Sequence, residues 1–172
     1  MRALADATRI GHFMSAVGAE ADQEVDVYFT GGATAVLVGW REATIDVDVL
    51  VVPENDALLR ALARIKDSLA INVEFASPLD FIPVASGWEM RSPSIRRERN
   101  ASFFHFDPYA QALAKAERGH EQDFTDVAAL IEHGFVEPPR ARQYFEEIES
   151  ALYRFPAVDP AAFRARVEEL FG

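Results

Sequence analysis

The sequence predicts an α+β fold in which strands and helices share the N-terminal part and helices alone form the C-terminal part. Three short β-branched or aromatic runs predict strands: VDVYFT at 25–30, TIDVDVLVV at 44–52 and INVEFA at 71–76. After residue 106 apolar residues recur at helical spacing, and Asp-Pro pairs open two of the segments. We therefore expect an α/β domain over residues 1–106 and a helical subdomain over residues 107–172.

The helices of the first part follow from capping and periodicity. The first twenty-odd residues carry apolar side chains at helical spacing, although Gly11 and Gly18 weaken the pattern. Gly31-Gly32 turns the chain into ATAVLV, which predicts a short buried helix. Asn55 is a suitable N-cap for DALLRALARIKDSLA, whose leucines and isoleucine fall on one face.

The later elements are marked by turns and caps. Residues 77–107 are irregular, except that PSIRRE and ASFFHF are predicted to pair as a hairpin. A helix then begins at Pro108 behind the cap Asp107 and ends before Gly119. Three more helices are expected, in EQDFTDVAALIEHG, ARQYFEEIESALYRF and DPAAFRARVEELFG.

Composition narrows the classes of function. The 172 residues carry a formal charge of −11, which argues against a broad basic surface for nucleic acid but not against a local one. The one basic block, residues 91–99, could receive an RNA backbone, but a charged hairpin is the favoured interpretation. There is no cysteine, so disulfides and thiolate chemistry are excluded. With no signal-peptide pattern and no membrane-spanning apolar run, we expect a cytoplasmic protein with no membrane partner.

Two acids in the second strand carry the strongest chemical signal. Asp46 and Asp48 are two residues apart on a strand, so both point to one face while Val47 and Val49 point to the other. Neighbouring carboxylates repel each other unless a cation lies between them. Mg²⁺ prefers such oxygen ligands, and paired metals held by carboxylates serve phosphoryl and nucleotidyl transfer. The alternative is an exposed strand face with solvated acids.

Two further features fit a metal-nucleotide site. Asn72 and Glu74 share one face of the third strand, and Glu74 completes a set of three carboxylates if this strand lies beside the second. Asp80 is an alternative candidate for that third acid. The pair Gly31-Gly32 lies between a strand and a helix, where backbone N–H groups can hold phosphate oxygens.

These residues carry a resemblance to a known superfamily. Gly31-Gly32, thirteen intervening residues and Asp46-Val47-Asp48 resemble the signature of the polymerase-β-type nucleotidyltransferases. GWREATIDVDVLV and DPYAQALAKAERGHEQDFTDVAAL resemble a bacterial branch related to the toxins of abortive-infection toxin–antitoxin pairs. The later segment matches a K..R…D..D pattern, carried by Lys115, Arg118, Asp123 and Asp126. The resemblance implies a nucleotidyltransferase fold with a small mixed β-sheet flanked by helices.

The resemblance also implies residue roles. Asp46 and Asp48 would hold two Mg²⁺ ions, or Mn²⁺ in their place, and Glu74 would help to hold the catalytic ion and accept the acceptor's proton. The implied NTP-binding residues are Gly31, Gly32, Thr34, Arg41, Lys115 and Arg118. One departure is that many members carry Ser at the second motif position or just after it, where this chain has Gly32-Ala33. Triphosphate binding would then depend on the backbone and Thr34.

The implied reaction moves a nucleoside monophosphate from an NTP to an acceptor hydroxyl on RNA, protein or a small molecule. The alternative is a catalytically inactive regulatory or antitoxin-like partner protein with the same fold. The acidic charge favours a small cationic acceptor, as in antibiotic adenylyltransferases, over a long RNA. A homodimer or a complex with a cognate partner protein is an open expectation.

Overall fold

The computed structural model describes residues 2–172, which form two compact units. The first unit runs to Ser77 and resumes over Ser92–His105, and the second comprises Pro78–Arg91 and Phe106–Gly172. The predicted boundary between residues 106 and 107 lies one residue from the last junction. Segment Pro78–Arg91, however, belongs to the unit of the C-terminal helices. The predicted ranges placed this segment in the N-terminal domain.

The first unit is built on a mixed five-stranded sheet. The described strands of this unit are β1 (Ala5–Asp6), β2 (Val25–Thr30), β3 (Ala43–Thr44), β4 (Asp46–Val52), β5 (Asn72–Phe75), β6 (Ser94–Glu98) and β7 (Ala101–His105). All of them except β1 and β3 belong to the five-stranded sheet. The sheet order is β5-β4-β2-β7-β6. Strand β2 is antiparallel to β4 and parallel to β7, while β4 is parallel to β5. The predicted hairpin of β6 and β7 is confirmed, as is the α+β fold with a small mixed sheet.

The predicted strand over residues 44–52 is wrong at its start. Ile45 belongs to no strand, so β4 begins only at Asp46. Strand β3 instead pairs with β1 in a separate two-stranded sheet, with Ala5 opposite Thr44. This pairing joins residues almost forty positions apart, and local alternation of apolar residues does not reveal it.

Three helices accompany the sheet in the first unit: α1 (Ala7–Glu20), α2 (Gly32–Val38) and α3 (Asp56–Leu69). The predicted cap of α3 is confirmed, because the Asn55 side chain accepts a hydrogen bond from the Leu58 N–H at 3.0 Å. One core joins the apolar faces of α1 and α3 to the buried valines of the strands, among them Val47 and Val49. Because side chains alternate along β4, this core leaves Asp46 and Asp48 on the opposite face.

The second unit is helical over the part of the chain described. Its helices are α4 (Trp88–Arg91), α5 (Pro108–Arg118), α6 (Glu121–Glu132), α7 (Pro138–Glu149) and α8 (Pro160–Phe171). The predicted caps of α5 are present: Asp107 accepts from the Tyr109 N–H, and Gly119 adopts a left-handed conformation with φ of 70°. The third predicted C-terminal helix instead starts at Pro138 and ends at Glu149. Over residues 2–172, no helix combines the length and the apolar character needed to cross a membrane.

Candidate functional site

The predicted acids lie together on one face of two neighbouring strands. Asp46 and Asp48 on β4 are half-buried, whereas Val47 and Val49 on the core face are at most 1 % exposed. In the parallel pair of β4 with β5, Asp48 lies opposite Glu74. The strand adjacency on which Glu74's predicted role depended is therefore present. Asp80, the alternative third acid, lies in the second unit, in a short 3-10 turn.

Asn72 connects two of these acids. It lies opposite Asp46 in the strand register, and its Nδ2 donates hydrogen bonds to Asp46 Oδ1 and, at 3.3 Å, to Glu74 Oε1. The sequence placed Asn72 on this face but assigned it no role. A neutral amide that donates to two carboxylates fixes both of them and reduces their mutual repulsion.

The three carboxylates do not form a closed ligand cluster. Within residues 2–172, no group of three or more His, Asp or Glu side chains is gathered closely enough to hold a metal ion. Asp46, Asp48 and Glu74 are neighbours by register, and as oxygen donors they fit the chemistry of a hard cation such as Mg²⁺. Their role as metal ligands stays a prediction.

The glycine pair forms a tight turn beside the acids. Gly31 has φ of 61°, which disfavours a side chain, and a Cβ at this residue would lie 3.2 Å from Asp48 Oδ2. A Cβ on Gly32 would lie 2.1 Å from Thr44 Oγ1 and 3.0 Å from Arg41 Nη1. The turn therefore requires glycine at both positions. The Gly31 backbone lies beside the Asp48 carboxylate, and the Gly32 backbone lies beside the Arg41 guanidinium.

Thr34 is held from inside the protein. Its side chain is buried, and its hydroxyl donates to the Phe29 carbonyl at 3.4 Å and lies 3.1 Å from Nδ1 of His105. Burial lowers the pKa of His105 to about 4, so the ring is neutral near pH 7. No pattern in the sequence indicates this contact, because the two residues are 71 positions apart. The predicted contact of Thr34 with phosphate stays a prediction.

Lys115 and Arg118 belong to a charge network between α5 and α6 of the second unit. The Lys115 ammonium is 2.9 Å from Asp126 Oδ2 and 3.9 Å from Asp123 Oδ1, and all three residues are buried. Arg118 donates two hydrogen bonds to Asp123. These are the four residues of the K..R…D..D pattern, and the geometry gives them a structural function within the helical unit. Their predicted role at the phosphates stays a prediction.

The network also sets the ionisation of Asp123. Burial acts to raise the pKa of this carboxyl, but the Arg118 hydrogen bonds, the His120 N–H and the charges of Arg118 and Lys115 lower it on balance. Asp123 is therefore held as a carboxylate, which is the form that pairs with both cations.

Two arginines of the basic block, Arg96 and Arg97, are engaged by acids and by a backbone carbonyl. Arg96 contacts Glu98 at 3.1 Å and donates to the Gly11 carbonyl, while Arg97 bonds Glu24 at 3.0 Å. These contacts favour the charged-hairpin interpretation over the RNA contact. Arg91 belongs to the second unit, where it pairs with the buried Asp107 at 2.9 Å.

The fold and the arrangement of residues define a class of protein. The sheet is mixed, Gly31-Gly32 follows β2, and Asp46-Val47-Asp48 begins the neighbouring strand β4. This is the arrangement expected of a nucleotidyltransferase. The chain belongs to DUF6036, a nucleotidyltransferase family of unknown function, whose model matches residues 8–156. No curated protein and no solved structure gives a significant match. The predicted superfamily is thus confirmed, and the family's description names no substrate or acceptor.

Proposed function

We propose that the chain is a metal-dependent nucleotidyltransferase, which moves a nucleoside monophosphate from an NTP to a hydroxyl on RNA, protein or a small molecule. The observation that carries the proposal is the register of β4 with β5, which sets Asp48 opposite Glu74 on the face away from the core. The glycine turn beside Asp48 and the family membership support the same class of reaction.

The proposed reaction is an in-line displacement at the α-phosphorus. The acceptor oxygen forms a bond to this phosphorus as the bond to the bridging oxygen of the β-phosphate breaks, and pyrophosphate leaves. Glu74, which is exposed, would take the proton of the acceptor hydroxyl. Such chemistry depends on positioning and on charge neutralisation rather than on a protein nucleophile.

Asp46, Asp48 and Glu74 would hold Mg²⁺ or Mn²⁺, because their oxygen-only donor set suits these ions. When bound, the cation neutralises charge on the triphosphate oxygens and on the leaving pyrophosphate. Asn72 would have to release Asp46 and Glu74, at least in part, for both carboxylates to turn toward the cation.

The triphosphate would lie against the glycine turn. The absence of side chains at Gly31 and Gly32 lets Asp48 and Thr44 lie close to this backbone, and the Arg41 guanidinium lies beside Gly32. Thr34 lies in the first turn of α2, two residues after Gly32. A guanidinium is a suitable partner for phosphate oxygens, because its planar N–H groups can donate two parallel hydrogen bonds.

A second candidate function is a partner protein that keeps this fold without catalysis. It is favoured by the engagement of Asp46 and Glu74 with the Asn72 amide and by the lack of a closed three-ligand cluster among residues 2–172. The two candidates differ in whether nucleotide is transferred.

A transfer assay separates them. The protein is incubated with each α-³²P-labelled NTP, Mg²⁺ and separate RNA, protein and small-molecule fractions, as wild type, Asp48→Asn and the control Asp26→Asn. Asp26 lies on the same sheet face, opposite Val52 and away from Glu74. We expect label in one fraction with wild type and control, and a loss of about a hundredfold or more with Asp48→Asn. Absence of label in every fraction would favour the partner protein. Equal labelling by all three proteins would show that Asp48 is not required for transfer and would overturn the proposed site.

A further inference from the structure

A buried hydrogen-bonded chain lies behind the glycine turn. His105, at the end of β7, lies beside Phe29 of β2 in the strand register and is 8 % exposed. Its Nδ1 is 3.1 Å from the hydroxyl of Thr34, which in turn donates to the Phe29 carbonyl. Two strands and the first turn of α2 are therefore linked through one imidazole and one hydroxyl.

The direction of these bonds follows from the chemistry of the groups. A hydroxyl has a single hydrogen, and that of Thr34 is directed to the Phe29 carbonyl. The hydroxyl must then accept from His105, which requires the neutral tautomer with its proton on Nδ1. The low pKa of His105 is consistent with a neutral ring in this position.

The glycine turn depends on how α2 is held. Gly31 accepts a hydrogen bond from the Ala35 N–H at 3.2 Å, so the first turn of the helix contains both the glycines and Thr34. A side chain that fixes Thr34 also restrains this turn, whose backbone lies beside Asp48.

We propose that His105 is a positioning residue of the nucleotide site, which holds Thr34 and through it the Gly31-Gly32 turn in the conformation that receives the triphosphate. This inference rests on the proposed function. It differs from a purely structural role for His105 because it predicts a change in nucleotide affinity that depends on the hydrogen bond rather than on the volume of the ring.

Three substitutions isolate the hydrogen bond. His105→Phe keeps a ring of similar size but removes the donor, and His105→Asn keeps an N–H donor near the position of Nδ1. Thr34→Val removes the hydroxyl with little change in volume. The dissociation constants of ATP, GTP, CTP and UTP in the presence of Mg²⁺ are obtained from the rise in unfolding temperature as each nucleotide is titrated. The proteins compared are the wild type, the three single variants and the double variant that combines His105→Phe with Thr34→Val.

For the NTP that binds the wild type, we expect His105→Phe and Thr34→Val each to weaken binding about fivefold, the effect of one hydrogen bond. The double variant should also be about fivefold weaker, since both changes break the same chain. His105→Asn should retain most of the affinity. If His105→Phe does not fold, His105→Leu, which also lacks the donor, takes its place in the comparison with His105→Asn.

Two kinds of result overturn the inference. In the first kind, wild type binds an NTP, but the variants bind it equally well, or the double variant loses about 25-fold in affinity, or His105→Asn loses as much affinity as His105→Phe. His105 then does not position the site, and the proposed function is unaffected. If no NTP binds the wild type with Mg²⁺, the proposed function itself fails and this inference fails with it.

Discussion

His105 is a titratable side chain that the fold keeps in its neutral form. Burial lowers the pKa of the imidazole from 6.5 to about 4. Because the unfolded chain binds a proton at higher pH than the folded one, acid favours unfolding at this residue. The contribution is fully present above pH 6.5 and is lost progressively as the pH falls toward 4.

This shift predicts a specific acid sensitivity. From pH 7 to pH 5, His105 should lower the free energy of unfolding by about 2 kcal/mol. His105→Asn, which has no group titrating in this range, should lack that part of the loss. Urea unfolding of both proteins at the two pH values measures the difference. Equal losses in wild type and variant would show that His105 is not held neutral.

Lys115 is a second buried polar side chain, and its Nζ lies 2.9 Å from Asp126 and 3.9 Å from Asp123. Lys115→Met removes the ammonium from two buried carboxylates, Asp126 and Asp123, and should destabilise the protein by about 3 kcal/mol or more. The control Arg64→Met breaks an exposed pair with Glu20 and should cost about 0.5 kcal/mol or less. Chemical denaturation measures both. A small loss for Lys115→Met would remove the structural role assigned to the network.

At the scale of elements, the contact of α1 with β6 is set by one glycine. A Cβ on Gly18 would lie 2.5 Å from the Cβ of Glu98 and 2.6 Å from its carbonyl oxygen. Gly11, seven residues earlier on the same helix, would meet only the tip of Arg96 at 3.9 Å. The same substitution should therefore have opposite effects at the two positions.

We expect Gly18→Ala to destabilise the protein by about 1–3 kcal/mol, because the helix or the strand must move to admit the methyl group. Gly11→Ala should be neutral or stabilising by up to about 1 kcal/mol, since alanine favours the helix. Thermal unfolding of the two variants compares them directly. If Gly18→Ala is as well tolerated as Gly11→Ala, the close packing of α1 on β6 is wrong.

Elements with strong local signals could be predicted from the sequence. The strand over 25–30 was placed at its observed limits, and the caps Asn55 and Asp107 were identified, because capping and alternation are local properties. The short helix Trp88–Arg91 and the pairing of β1 with β3 were not predicted. Both depend on tertiary packing that a window of neighbouring residues does not contain.

The candidate site was predictable in part for the same reason. Alternation placed Asp46 and Asp48 on one face of the strand. The position of Glu74 opposite Asp48 depends on which strands are neighbours and in what register, and the sequence does not determine this. The links of Asn72 to Asp46 and of His105 to Thr34 were missed, since hydrogen bonds between residues distant in sequence leave no periodic pattern. Helical spacing placed Lys115 near Arg118 but did not reveal its burial.

At the scale of the whole molecule, the charge bears on the choice of acceptor. A net charge of −11, with Arg96 and Arg97 engaged by Glu98 and Glu24, provides little attraction for a long polyanion. Among the three acceptor classes of the proposed reaction, these charges favour a small cationic molecule or a protein over a long RNA.

The proposed function requires Asp46, Asp48 and Glu74 to form a cation-dependent nucleotide site. The measurement that tests it most directly is thermal unfolding of wild type, Asp46→Ala and the control Asp26→Asn, each with the four NTPs and with or without Mg²⁺. A ligand at a hundred times its Kd stabilises the folded state by about 2.7 kcal/mol.

We predict that one NTP stabilises wild type and Asp26→Asn only when Mg²⁺ is present, and that Asp46→Ala loses the effect. No stabilisation by any NTP with Mg²⁺, or a stabilisation that Asp46→Ala retains in full, would rule out this nucleotide site.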